Sequence, residues 1–171
     1  MNFNYCSTIG VDLMIKYLPE YKAKIQFWDL AGSERFDIIT NSYINSADIV
    51  IFVYNLQDDT TVEKIKNKHL SYYSHNYSFT GIVVGTHNNN KNSNLSAEKF
   101  AKDNNYPHFK VELKKNYGVE NILNEIINIL IEKELFQLNQ QSGENSEQIQ
   151  QSPLNQFKKI LITQKEICII V

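Results

Sequence analysis

Two short, unbroken apolar runs, DIVIFVYN (Asp48–Asn55) and TGIVVGT (Thr80–Thr86), constrain this chain more than any other feature. Both are rich in β-branched residues and neither alternates, so neither face of such a strand can be left in water. Parallel strands covered by helices on both sides have this pattern. Ahead of them, apolar residues fall on every second position at Ile9, Val11, Leu13, Ile15 and Tyr17, and again at Ala23, Ile25 and Phe27. LPEYK supplies turn chemistry between the two sets, which predicts an antiparallel hairpin of half-buried strands. Helix-compatible sequence runs from Thr60 to about His75 and from Ser96 to Asn104, the latter with Ala97, Phe100 and Ala101 on one side. HFKVEL (His108–Leu113) reads as another strand. Val119, Ile122, Leu123, Ile126, Ile127 and Leu130 keep the spacing of an amphipathic helix. Strands alternating with helices imply an α/β sheet joined by crossovers.

The 171 residues divide into a domain over 1–135 and a polar, low-complexity tail over 136–171 that turns apolar again in FKKILITQKEICIIV. Net charge is −2 and the Lys and Arg residues are dispersed, so no basic stripe points to nucleic acid. Cys6 and Cys168 fit neither a CxxC nor a zinc spacing, which favours a reduced, intracellular protein without disulfides. No apolar run approaches the ~20 residues that span a bilayer, and MNFNYCS does not read as a signal peptide.

The most specific chemical signal is WDLAGSERF (Trp28–Phe36). D-x-x-G at the end of a buried strand puts the Asp29 carboxylate where it could reach Mg²⁺ through water. Gly32 leaves a small backbone N–H that can swing towards a terminal phosphate. Upstream, STIG places the Thr8 hydroxyl just before a strand, within reach of the same ion. Two loops drawn in by one ion and released on hydrolysis make a γ-phosphate sensor.

These residues resemble a Ras-superfamily small GTPase of the Rab branch: TIGVDL is similar to the Rab effector loop and WDLAGSERF to the Rab second switch. The likeness extends more weakly to about Leu135. It implies Thr8 and Asp29 at a Mg²⁺ site, Gly32 at the phosphate, and GTP or GDP as ligand. It also implies that Leu13, Trp28 and Tyr43, with Ile9 nearby, form the surface presented to Rab-type effectors and regulators. Ordinary packing beneath the switches is the plainer reading of Trp28 and Tyr43.

Departures from the family pattern are equally specific. No G-x-x-x-x-G-K-[ST] occurs in these residues, and the chain opens at the first switch. The expected fold is thus an incomplete P-loop-NTPase (small GTPase) fold. It has a mostly parallel sheet, one antiparallel hairpin strand, and no central first strand between Lys22–Asp29 and Asp48–Asn55. Thr86, His87 and Asn89 align with the guanine-reading N-K-x-D, where Asn89 offers one acceptor and one donor in place of two acceptors. In the S-A-K loop, matched by Leu113-Lys114-Lys115, only Lys115 agrees. Ser33 stands where the family has the Gln that orients the attacking water, and is too short to do so.

The final residues, Cys168-Ile169-Ile170-Val171, fit C-a-a-X prenylation at Cys168, giving a lipid-held, peripheral position on the cytosolic face of endomembranes. Together the implied function is GTP-dependent regulation of vesicle traffic with impaired nucleotide binding. The alternatives are a nucleotide-independent, effector-binding pseudo-GTPase and a fragment that does not fold alone.

Overall fold

The computed structural model describes residues 8–21, 23–87, 94–142 and 165–170. The hairpin is present as β1 (Val11–Leu18) and β2 (Ala23–Leu30), in register from Val11 opposite Leu30 to Leu18 opposite Ala23. Then follow α1 (Asp37–Ser46), β3 (Ile49–Asn55), α2 (Asp59–Ser74), β4 (Thr80–Thr86), α3 (Leu95–Asp103), β5 (His108–Val111), α4 (Val119–Ser142) and β6 (Lys165–Ile170). They build one sheet in the order β1-β2-β6-β3-β4-β5, in which only β1 runs antiparallel to its neighbour.

The unbroken apolar runs are covered on both faces. On one side Val50, Phe52, Tyr54 and Val83 pack with Ile44 of α1, Val62, Ile65 and Tyr72 of α2, and Phe100 of α3. On the other, Ile25, Ile49, Ile51, Ile82 and Val84 lie under Ile126, Leu130 and Ile131 of α4. The glycines of TGIVVGT make room for aromatic rings. A Cβ at Gly81 would overlap the Tyr106 ring, and one at Gly85 would come within 2.7 Å of Tyr54 Oη. Side-chain oxygens start α2 and α3: Thr60 N–H donates to Asp58 (3.0 Å), and Ala97 N–H to Asn94 (3.1 Å).

The structure answers one open question and departs from the sequence reading twice. With no first strand between β2 and β3 the two could close up, take in another segment or be unstable, and in the structure another segment is taken in: β6 pairs with β2 over Lys165–Ile170 and with β3 over Ile167–Ile170. Hence 136–171 is not tail throughout, because α4 continues to Ser142 and 165–170 belong to the sheet. The physical reason is that an empty position would leave two facing rows of backbone N–H and C=O groups unpaired. First, alternation predicts a half-buried β1, yet Ile9, Leu13, Ile15 and Tyr17 are all exposed. β1 is the edge strand, where Leu18 is buried and Val11 packs half-buried against the core. Second, α1 is not announced by any periodicity: Thr40 and Ile44 are buried, while Ile38 is 90% exposed.

Two histidines, His69 buried and His108 half-buried, tie the aromatic core. His69 Nε2 lies 3.0 Å from Tyr106 Oη, and His108 Nε2 lies 3.0 Å from Tyr54 Oη. Burial holds both imidazoles below their ordinary range and pushes the Tyr54 phenol up to about 12, so both pairs are neutral. A histidine whose pKa is depressed by folding stabilises the fold above its unfolded value, about 6.5, and that contribution is lost as pH falls through and below it. The melting temperature is therefore expected to be lower at pH 5 than at pH 7.5. Replacing both histidines by Phe should flatten that dependence in a thermal melt at the two pH values.

Candidate functional site

Because β2, β6, β3, β4 and β5 are parallel, their carboxyl ends lie at one edge of the sheet, where open α/β sheets bind ligands. The expected switch residues emerge there. β2 delivers Asp29 and ends at Leu30, and the chain then passes through Ala31, Gly32 and Ser33 into a 3₁₀ turn over Glu34–Phe36. The turn closes as Phe36 N–H donates to Ser33 O (3.0 Å), with Gly32 and Ser33 both exposed.

The first switch folds back against this strand. Thr8 Oγ1 donates to Asp29 Oδ2 at 2.9 Å, so the two residues expected at the metal are brought together across 21 positions of sequence. Two residues on, Gly10 adopts a left-handed conformation (φ +77°), and its carbonyl accepts from Ala31 N–H at 2.9 Å. Glycine suits this bend because a side chain there would be strained. The Thr8–Asp29 pair offers two oxygen-bearing groups towards a divalent cation. Mg²⁺ demands an octahedron, so phosphate oxygens and water would have to complete the set. Among the described residues no group of three His, Cys, Asp or Glu side chains could hold a metal by itself.

At the base-reading end, Thr86 closes β4 and donates through Oγ1 to Tyr54 O (3.2 Å), while His87 N–H donates to Val111 O (3.1 Å). Asn89 lies outside the described residues. Lys115 is exposed at the end of a 3₁₀ turn, and its ammonium pairs with the buried Glu112 carboxylate at 3.0 Å.

The expected effector residues also converge. Leu13 sits directly opposite Trp28 in the hairpin, and the Trp28 and Tyr43 rings lie 4.8 Å apart. Trp28 and Tyr43 are half-buried against the core, as packing requires, and Leu13 is the exposed member at 39%. The Trp28 indole N–H is buried and has no hydrogen-bond partner among the described residues. Sequence reasoning missed the link from α1 into this region, where Lys68 of α2 pairs with Asp37. A Lys and an Asp 31 positions apart carry no local signal. Cys168, expected on a free tail, lies instead beside Trp28 and Val50 in the sheet register.

Among the described residues no helix is long and apolar enough to cross a membrane. The family model described as Ras family matches residues 1–132. "Ras-related protein SEC4" of Candida albicans is 29% identical over 139 residues, covering 77% of this chain and 66% of that protein. "Ras-related protein RABC1" of Arabidopsis thaliana is 28% identical over 155 residues, covering 85% of this chain and 73% of its own length. A shorter, closer match, 44% over 70 residues, joins 39% of this chain to 34% of "Ras-related protein Rab-13" of Bos taurus. The chain thus spans just under two thirds of the Candida protein and about one third of the bovine one. With the family model covering most of its length and Rab-type switch sequences folded into place, the chain belongs to the Ras family, in its Rab branch.

Proposed function

We propose that this chain is a Rab-branch switch domain acting as a nucleotide-independent docking module for effectors or regulators of vesicle traffic. One observation carries the reading. The two switches are joined by their own groups, Thr8 hydroxyl to Asp29 and Ala31 N–H to Gly10 carbonyl, where the family joins them through Mg²⁺ and a γ-phosphate. Two further features support it. Lys115 is engaged by Glu112, and Ser33 stands at the position that resembles the family's water-orienting Gln.

The docking face is the exposed edge at Ile9 and Leu13, backed by Trp28 and Tyr43. Prenylation at Cys168 and attachment to the cytosolic face of endomembranes would require residues 165–170 to leave the sheet. A GTP-cycling regulator is the second reading, favoured by the Thr8–Asp29 pair at the ligand-binding edge.

Titration with fluorescent GDP, with and without Mg²⁺, separates the two. The expected result is no micromolar binding and no rise in melting temperature on adding GDP and Mg²⁺. Micromolar, Mg²⁺-dependent binding would overturn the docking-module reading, and Asp29→Ala should then abolish the metal dependence.

A further inference from the structure

We propose that the outer side of β1 is a self-pairing edge, to which a second copy of this chain adds its own β1, antiparallel, across a two-fold axis at Met14. The inference concerns the rim of the sheet and holds whether or not nucleotide binds. It shares Leu13 with the proposed docking face, so a seated copy covers part of that face. β1 ends the sheet, and no described strand lies on its outer side. Which residues point that way follows from two hydrogen bonds. The Gly10 carbonyl accepts from Ala31 N–H on the β2 side. Asp12, Met14, Lys16 and Leu18, at even steps from Gly10, therefore direct their backbone groups to β2, and Val11, Leu13, Ile15 and Tyr17 direct theirs outward. Leu13 agrees with this: its N–H donates to the neighbouring Asp12 carboxylate at 2.8 Å.

An open edge is a template for a further strand, and proteins blunt it with charge or proline. The middle of β1 carries neither. Leu13, Met14 and Ile15 are consecutive, apolar and exposed, and Tyr17 is exposed beyond them. The charges of the strand are Asp12 and Lys16, two positions either side of Met14, and neither forms an ion pair among the described residues. That spacing selects the occupant and its register. Antiparallel pairing about Met14 sets Val11 of one copy opposite Tyr17 of the other, and Leu13 opposite Ile15. Every outward N–H and C=O then meets a counterpart, giving roughly eight backbone hydrogen bonds. Asp12 faces Lys16 twice, at the non-hydrogen-bonded positions where side chains approach most closely. Centred on Leu13 or Ile15, the same strands leave both charges without an opposite charge across the seam. Centred on Asp12 or Lys16, they set like charges against each other, which is destabilising.

Sedimentation velocity of the full chain is expected to show a species of twice the chain mass whose share rises with concentration. Ile15→Pro removes an outward N–H that β2 does not use, and should leave a folded monomer. Asp12→Lys and Lys16→Asp each place like charges opposite one another and should each be monomeric. An equimolar mixture of these two variants should form the mixed dimer, because both facing pairs are then again of opposite sign. Whatever Ile15→Pro does to folding, that rescue tests the register directly. A chain that stays monomeric up to about 1 mM would overturn the self-pairing and leave the edge to a strand of a different protein. Dimers that survive Ile15→Pro or either charge change, or charge variants that fail to combine, would overturn it as well. So would protection of the Leu13 and Ile15 amides from hydrogen exchange that does not vary with chain concentration, which would assign the edge to another segment of the same chain.

Discussion

A chain ending at Gln164 is expected to lose its cooperative thermal transition. Without β6, β2 and β3 face each other across the width of one strand, roughly 10 Å, too far for any direct hydrogen bond. The registers of β6 with its two neighbours imply roughly ten backbone N–H and C=O groups on β2 and β3 left without partners. Many of these groups lie deep between the two core clusters, flanked by Ile25, Leu30, Ile49 and Phe52. At about 1–3 kcal/mol for each buried group left unsatisfied, the penalty reaches or exceeds the 5–15 kcal/mol net stability of an ordinary domain. Closing the gap would require β2 to move towards β3 by a full strand spacing. That shift would pull the Thr8–Asp29 contact out of line with the other strand ends. Circular dichroism melts of the full and shortened chains measure the difference. A shortened chain melting cooperatively within a few degrees of the full one would show that the central position is dispensable.

The second large effect is expected at Phe52, in the middle of β3 and fully buried. Its ring is surrounded by Phe79 (6.0 Å between centroids), Phe100 (6.2 Å, edge-on), Tyr106 (6.3 Å, stacked) and His69 (5.7 Å). Truncation to Ala removes the transfer free energy of the ring and leaves a cavity in which four rings lose a neighbour. Phe→Ala in such sites costs about 3–5 kcal/mol. For a chain of this length that lowers the melting temperature by roughly 10 °C or more. Phe52→Leu keeps most of the volume and should cost less than about 1.5 kcal/mol. Denaturant unfolding of both variants checks the order, and Ala and Leu forms of equal stability would contradict the packing.

Much of the fold was legible because the sequence patterns were local. DIVIFVYN and TGIVVGT read as strands buried on both faces, and β3 and β4 lie under helices on both sides. The pairing of Thr8 with Asp29, and of Leu13 with Trp28 and Tyr43, was legible through motifs whose residues serve one shared region. What misled was the hairpin. Alternation at Ile9, Leu13, Ile15 and Tyr17 marks a strand but does not say whether a helix covers it, and at the sheet edge none does. α1 escaped notice because DIITNSYINS buries only Thr40 and Ile44, too little for a stripe.

The sequence by itself determined the α/β class, the motifs TIGVDL and WDLAGSERF, and the family to which they point. Only the tertiary structure decided what stands in the middle of the sheet. The apolar character of ICII is plain in the sequence, but strand pairing is a contact between distant segments, and no local pattern names the partner. Two rows of backbone groups, with an apolar layer on each face, find their partners in β6, which pairs with both strands at once.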